Sequence, residues 1–424
     1  MDHFVSSDYR HGDARVSSRT DVLGWWRMTR RTRTGDLPSL RHANRLRVLR
    51  ELQFVGPVPQ AELARKTGLS PASVSNIVAD ALRAGLVNVT EGVRGRRVKL
   101  VSLSPSLGLA AGIAVDHRHL TVVVGNLSSQ VLHAATAPIP SGADPAAVIE
   151  IAARVTEEGV ATAGKGQQLV SVGLTIPTPV ASRPDGDLSV IRRATAPGWW
   201  EMLPAEWVAS RFGAPACIDN EANAAALAEW SLGAGSGCSD LLYVQVGDGV
   251  GAGLILDDRM YRGAGGFAGE IGHIVLDPDG PLCRWGHRGC LEALSSVPAV
   301  LDAARVTCPD VSTLAEVIAR AEAGDPGCAQ ALTDAGAAIG RALAMAVNLL
   351  NPQRVVIGGL LMAAEAIVMP EVRTAYTRGV LPSMVVSTEL VVATLGSDAG
   401  ALGALALAIQ ALPDVALLGS AVDS

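Results

Sequence analysis

The chain is short of cysteine, of charge and of long apolar runs, and each shortage removes a class of protein. Six Cys at uneven spacing among 424 residues make no disulfide framework. Only 18% of residues are charged and 49% are hydrophobic, with 45 Gly and 23 Pro spread along the chain, which excludes a mostly disordered, fibrous or coiled-coil protein. Mean hydropathy is positive, but the excess comes from Ala and Val. The best candidate for a membrane span, residues 399–412, is short and stops at Pro413-Asp414. The N-terminus lacks the charged-then-apolar layout of a secretory signal, so the expected setting is the reducing cytoplasm, with no membrane partner. What remains is a globular chain long enough for two or three domains.

Charge is divided unevenly. Residues 1–38 carry a net +2, residues 39–105 a net +7 and residues 106–424 a net -15. A small basic module on a large acidic body implies that only the module meets a polyanion, because the body is repelled from one. Residues 1–38 hold Arg, Ser, Thr and Asp without an apolar period and are expected to be a disordered extension.

From Ser39 the pattern turns helical, with Leu46, Leu49 and Leu52 three apart and Val55-Gly56-Pro57 ending the run. A second helix is predicted over residues 60–67, with Leu63 and Ala64 inward. Gly68 permits a tight turn, Ser70 is a good N-cap, and Pro71 opens a third helix where its missing N–H costs nothing. On that helix Val74, Ile77, Val78, Ala81 and Leu82 fall on one side, and Ala72, Ser73, Asn76 and Arg83 on the other. Two β-forming stretches follow, residues 86–89 and 98–103, joined by a tip that carries Arg94, Arg96 and Arg97. This is a winged helix-turn-helix over residues 39–105, and its expected partner is a double-stranded DNA operator. Ser70, Ser73, Ser75 and Asn76 would face the groove, while the three Arg would hold phosphates or the narrow minor groove.

After Ser104-Pro105 the chain changes character. Residues 112–127, 170–176, 241–246, 252–257 and 354–357 read as buried strands, alternating with helical stretches such as 222–232 and 333–350, so the class is α/β. Four ordered motifs stand out: Asp219-Asn220-Glu221 opening an Ala-rich helix, the Gly-rich turn Gly247-Asp248-Gly249-Val250-Gly251, Gly269-Glu270-Ile271-Gly272-His273, and Cys283-Arg284-Trp285-Gly286-His287-Arg288-Gly289-Cys290-Leu291-Glu292. Together they resemble the ROK family of bacterial repressors, open-reading-frame proteins and sugar kinases. The resemblance runs from about residue 40 to about 410 and implies a two-lobed, actin-like (ribonuclease-H-like) sugar-kinase fold over residues 106–424. Its branch with a winged helix in front consists of sugar-responsive repressors, commonly dimers or tetramers.

Kinase chemistry needs a phosphate cradle, a metal and a base. The family's kinases open their first sheet with Asp, any residue, Gly; here Ala114 stands where the Asp belongs and Asp116 where the Gly belongs. Asp248 occupies a position the kinases give to Thr beside the phosphates, and the family's catalytic Asp is replaced by Glu221. A displacement of about 1 Å can cost on the order of a hundredfold, so no ATP binding and no enzymatic turnover are expected. The alternative is an active ATP-dependent sugar kinase carrying a DNA-binding arm.

The resemblance further implies a sugar pocket built from Asn220, Glu221, Glu270, His273 and Glu292, with Thr195 where many members have Asn. Taken singly, Glu270 and Glu292 could instead cap a helix or pair with Arg. The same resemblance implies a structural zinc knuckle of one imidazole and three thiolates. His273, Cys283 and Cys290 match three of these ligands, but Trp285 replaces the third thiolate. His287 could enter as the fourth ligand, water could complete the shell, or the metal could be absent with Trp285 packed in its place. The overall expectation is a cytoplasmic, homo-oligomeric, sugar-responsive transcriptional regulator, most simply a repressor of carbohydrate metabolism genes.

Overall fold

The leucine spacing seen in the sequence builds the first helix, α1 (Leu37–Val55), which begins two residues before the predicted start and ends at Gly56 with φ of 69°. The computed structural model describes residues 37–91, 99–116, 118–140, 142–163, 166–180 and 204–414. The 1–36 part of the expected N-terminal extension, the wing-tip arginines Arg94, Arg96 and Arg97, and Thr195 lie outside the described residues. Among the described residues, those up to Arg45 belong to one unit and those from Leu46 onward to another; the packing that follows is that of the second.

After α1 come β1 (Val58–Pro59), α2 (Gln60–Thr67), α3 (Pro71–Arg83), β2 (Val87–Glu91) and β3 (Lys99–Leu103). Gly68 closes α2 with φ of 67°, and the Ser70 hydroxyl accepts the Ser73 N–H at 3.1 Å to cap α3, with Pro71 in its first turn. The small antiparallel sheet has the order β1-β3-β2. Val74, Val78 and Ala81 of α3 are buried against Leu49, Leu52, Leu63, Val101 and Leu103. Leu82, expected inward, is 46% exposed, because the buried stripe is narrower than the apolar pattern and leaves position 82 at its edge.

The body repeats one topology twice. The first sheet contains β4 (Leu109–Val115), β5 (His119–Asn126), β6 (Val131–Pro138), β7 (Leu169–Ile176) and β8 (Ala216–Asn220), with α4 (Pro145–Ala163) and α5 (Pro204–Phe212) packed on its outer face. α6 (Glu221–Leu232) leads to the second sheet of β9 (Leu241–Val246), β10 (Val250–Leu256), β11 (Arg259–Met260), β12 (Arg354–Gly358) and β13 (Glu389–Val392). Between β11 and β12 lie α7 (Leu291–Ser295), α8 (Val297–Arg305), α9 (Leu314–Glu322) and α10 (Pro326–Leu350). Between β12 and β13 lie α11 (Glu365–Gly379) and α12 (Pro382–Ser387), and α13 (Ala399–Gln410) follows β13. The strand orders, β6-β5-β4-β7-β8 and β11-β10-β9-β12-β13, are the same 3-2-1-4-5 pattern. In each, two antiparallel pairings are followed by two parallel ones.

α6 and α13 pack together between the two sheets, α13 on β4 and β7 and α6 on β9 and β10. Backbone meets backbone there: a Cβ on Gly173 would overlap the Ala404 carbonyl, and one on Gly403 the Ala224 carbonyl. The apolar stretch 399–412 is thus a buried central helix and its exit, and among the described residues no helix is long and apolar enough to cross a membrane.

The winged helix is not a detached bead. Its core runs without a break into Ala110, Val123 and Leu127 of the first lobe and Ala401, Leu405, Ala408 and Ile409 of α13. Gln53 of α1, 5% exposed, donates its amide to the Ile409 and Leu412 carbonyls at 3.1 Å each. Ile409 lies in the last turn of α13 and Leu412 just beyond it, where helix geometry leaves carbonyls short of intrahelical partners; the Ile409 carbonyl also accepts the Leu412 N–H at 3.3 Å. Arg50 pairs with Asp414, and Lys66 of α2 reaches Asp258 in the β10–β11 turn at 2.8 Å.

Candidate functional site: a cleft between two lobes

A cavity of about 600 Å³ opens where the ends of β4, β7, β8, β9, β12 and β13 meet the N-terminal turns of α6 and α13. Asn220, Glu221, Glu270, His273 and Glu292, drawn from both lobes, all line it. Ala114, Asp116 and Asp248 line it too.

Each of these side chains is held by its element. Asn220 caps α6, its Oδ1 accepting the Ala222 N–H at 2.8 Å and its Nδ2 donating to the Thr178 carbonyl at 3.0 Å. Its neighbour Asp219 is buried: Oδ2 receives Arg262 at 2.6 and 2.9 Å, and Oδ1 receives the Asn220 N–H and the Asn223 amide. Asp219 is therefore an anchor for the turn. Glu221, the first residue of α6, accepts the Gln245 amide at 2.8 Å. Burial, with Asp116 and Asp248 nearby, pushes its carboxyl up to about 7 despite that hydrogen bond. Glu270 is also pushed above the usual carboxylate range, first by burial and then by Glu292.

Glu292 is tied on both oxygens, to Arg284 Nε at 2.8 Å and to the Val250 N–H at 3.1 Å. The pairing with Arg that was open from the sequence is thus present, inside the cleft. Arg284 itself, which no sequence argument selected, also leans on the Asp248 carbonyl at 3.5 Å. Its signal was available only as a basic residue between Cys283 and Trp285 in the knuckle.

The knuckle brings His273, Cys283 and Cys290 together, with one ligand atom from each within 4.8 Å of the others. His273 Nδ1 is buried without a hydrogen-bond partner, and burial lowers this imidazole's affinity for a proton. Burial works against the Cys283 thiolate, but hydrogen bonds from the backbone at Trp285 and His287 and from Cys290 outweigh it and hold that thiol below its ordinary value. An orphaned imidazole nitrogen beside two thiols, one of them acidic, fits a soft divalent cation. His287 does not join this group: it is exposed, and its carbonyl accepts the Cys283 N–H at 2.7 Å. Trp285 is 44% exposed and stands edge-on to His273, ring centroids 5.9 Å apart, instead of filling a ligand position.

A second group, Cys308, Asp325 and Cys328, was invisible in the sequence because its members share no spacing. Its geometry is that of a helix cap: Asp325 accepts the Cys328 N–H at 2.8 Å and the Cys308 thiol at 3.3 Å, and caps α10. On the winged helix, Ser70, Ser75 and Asn76 are exposed, while Ser73 is half-buried and shares a hydrogen bond with Ser70.

The sequence profile of the ROK family matches residues 110–411, more than half of the chain. The chain belongs to the ROK family. A MarR family profile matches residues 41–97 in front of the ROK body. The xylose repressor of Bacillus spizizenii is 26% identical over 387 residues, covering 90% of this chain and 98% of the relative. The crystal structure of a ROK family transcriptional regulator, a homologue of the E. coli MLC protein, superposes with a TM-score of 0.71 at 24% identity, covering 89% of this chain and 98% of that one, which establishes the shared fold. A ROK hexokinase from Thermus thermophilus superposes with a TM-score of 0.60 at 30% identity, covering 71% of this chain and 97% of its own.

Proposed function

We propose that this ROK protein is a sugar-responsive, DNA-binding transcriptional regulator that represses carbohydrate genes in the cytoplasm. The observation that carries the reading is α13. Its first turn lines the cleft, and the Ile409 carbonyl in its last turn, with the Leu412 carbonyl just beyond, accepts Gln53 of the winged helix. Twelve residues at about 1.5 Å each span roughly 18 Å, so one rigid element connects a small-molecule cleft to a DNA-binding module. The similarity to a xylose repressor along nearly the whole chain supports the same reading.

In this mechanism Asn220, Glu221, Glu270, His273 and Glu292 hold the hydroxyls of a monosaccharide, joined by Thr195 on the sequence argument. A ligand gripped from both lobes favours their closure. Closure displaces α13 and the recognition helix α3, and in a symmetric homodimer the two recognition helices must stay about one DNA turn apart, roughly 34–36 Å. The sugar thereby lowers operator affinity, and by linkage DNA lowers sugar affinity by the same factor. Asn76, Ser70, Ser73 and Ser75 face the bases, and Arg94, Arg96 and Arg97 hold the backbone or minor groove. Zinc would be held by His273, Cys283 and Cys290, with water or an inward-turned His287 as fourth ligand, and would crosslink the loop that carries Glu270 to the turn that carries Glu292.

One observation favours the rival reading of a sugar kinase with a DNA arm: Glu221, with its carboxyl near 7, is suited to accept a proton. Against it, Ala114, Asp116 and Asp248 line the same cleft. Genomic footprinting locates the operator. A fluorescence titration of that operator with a panel of pentoses and hexoses, beside a coupled assay with magnesium–ATP, then separates the two readings. The regulator gives a sugar-dependent loss of DNA affinity without turnover; turnover with no effect of sugar on DNA would reverse the conclusion.

A further inference from the structure

This inference rests on the reading of the cleft as a sugar site and concerns the charge of its ligand. An α/β cleft at strand ends usually offers an anion backbone N–H groups at glycine turns and helix N-termini. Here three of these cradles already carry a carboxylate of the protein, while the turn at Gly358-Gly359 carries none. Glu221 is the first residue of α6, whose N-terminal N–H groups face the cleft and are capped by Asn220. Asp398 is the N-cap residue of α13 and lines the same space. Asp248 sits in the middle of the glycine turn between β9 and β10, and Asp116 stands at the exit of β4.

With Glu270 and Glu292, six carboxylates line the cavity, against one guanidinium, Arg284, among the described residues. That guanidinium is already held by Glu292 at 2.8 Å. Burial first, and then Asp116 and Asp248, lift the Glu221 carboxyl. Even with Glu221 protonated, and leaving Asp116 aside, a phosphate dianion would meet the Asp248, Asp398 and Glu270 carboxylates and no free guanidinium or ammonium group among the described residues that line the cleft. The geometry points to a cleft that takes an uncharged monosaccharide and rejects its phosphate ester. The sugar's hydroxyls are donors that carboxylates accept, so the charge that repels an ester assists a polyol.

Calorimetry on the full chain tests this with matched pairs: glucose and glucose 6-phosphate, N-acetylglucosamine and its 6-phosphate, xylose and xylose 5-phosphate, with inorganic phosphate alone. At least one uncharged sugar should bind, and its ester should bind at least about a hundredfold more weakly. Raising NaCl from roughly 50 to 500 mM should strengthen residual ester binding, by screening repulsion, and leave the uncharged sugar unmoved. The double variant Asp248→Asn/Asp398→Asn should shift the ester-to-sugar affinity ratio toward the ester by at least about tenfold. An ester that binds as tightly as its parent sugar, or a salt effect of opposite sign, overturns the charge selection and leaves the sugar site standing. Failure of every pair to bind overturns the sugar site itself.

Discussion

Replacing Gln53 by Ala removes the two buried hydrogen bonds between α1 and the end of α13, leaving only the exposed one from the Gln410 amide to the Phe54 carbonyl at 3.4 Å, and the size of the effect follows from that burial. The side chain is 5% exposed, and its amide reaches the Ile409 and Leu412 carbonyls at 3.1 Å. Each such bond is worth about 0.5–1.5 kcal/mol net, and the Ile409 carbonyl keeps the Leu412 N–H at 3.3 Å, so the docking should weaken by about 1–3 kcal/mol. The coupling free energy of a ligand switch is also typically about 1–3 kcal/mol. A loss of that size should therefore uncouple the arm: operator affinity in the absence of sugar stays within a few fold, sugar affinity is retained, and the sugar-induced fall in operator affinity shrinks to under about twofold. The neighbouring Arg50–Asp414 pair is the control, since its side chains are 57% and 38% exposed. An ion pair so open to water contributes at most about 1 kcal/mol, and Arg50→Ala should keep the full response. Anisotropy titrations of labelled operator with and without sugar, with calorimetry of the sugar on each variant, give both quantities. A Gln53→Ala protein with an undiminished sugar response, or an Arg50→Ala protein that has lost it, would refute the assignment of α13 as the connection.

Purified protein never exposed to chelator should contain about one zinc per chain by elemental analysis, and Cys283→Ser should lower both metal content and thermal stability; His287→Ala separates the fourth-ligand alternatives, since loss of metal marks an inward imidazole and retention marks water. Glu221 has a folded-state value near 7 against an ordinary 4.5, so its contribution is fully present below about pH 4.5 and is lost as pH rises through 7. Glu221→Gln should therefore be more stable than the parent by about 1–3 kcal/mol at pH 8, with the gap closing toward pH 4.5 in urea melts, and a constant gap would remove the cause. Arg96→Ala should weaken binding across DNA sequences and reduce the log–log salt slope by about 1, whereas Asn76→Ala should change base preference; an Arg96→Ala protein with unaltered affinity and slope would mean that the wing does not touch DNA. Lys66→Met should spare DNA binding and tighten sugar binding, because it removes an ion pair to Asp258 that closure has to break; an unchanged sugar affinity by calorimetry would deny that contact a role.

What could be read from the sequence was local. Gly68, Ser70 and Pro71 specify a turn and a helix start within four residues, and residues 60–67 and the start of α3 appear as predicted. The cleft residues carried by motifs were also legible, since Asn220, Glu221, Glu270, His273 and Glu292 do meet. The pairing of Arg284 with Glu292 could not be selected, because it depends on how the knuckle folds over the β9–β10 turn. The cap formed by Cys308, Asp325 and Cys328 depends in the same way on α8 ending beside the start of α10. Nor does the sequence show that the two sheets repeat one strand order: their strands share only alternation, and β11 and β13 are too short to carry a period. Residues 399–412 were excluded as a membrane span by their length, but a helix buried on nearly every side has no amphipathic pattern that would place it at the centre of the fold.

The doubled fold gives the arm a particular footing. α13 lies on the first sheet and α6 on the second, and they touch through glycine where backbone meets backbone, so neither helix has a layer of long side chains that could absorb a shift. Relative motion of the lobes must appear as displacement of one helix against the other. The winged helix is fixed to both sides of that boundary: its core is continuous with β4, β5 and α13, while Lys66, with a side chain only 10% exposed, pairs with Asp258 on the second lobe. A closing cleft cannot keep both attachments in their present geometry. The apolar attachment is broad and holds Gln53 in its interior, whereas the attachment to the second lobe is a charge pair at a turn whose Asp258 is one-third exposed. The weaker side yields first, so closure should carry the arm with the first lobe and change the position of α3 relative to the second.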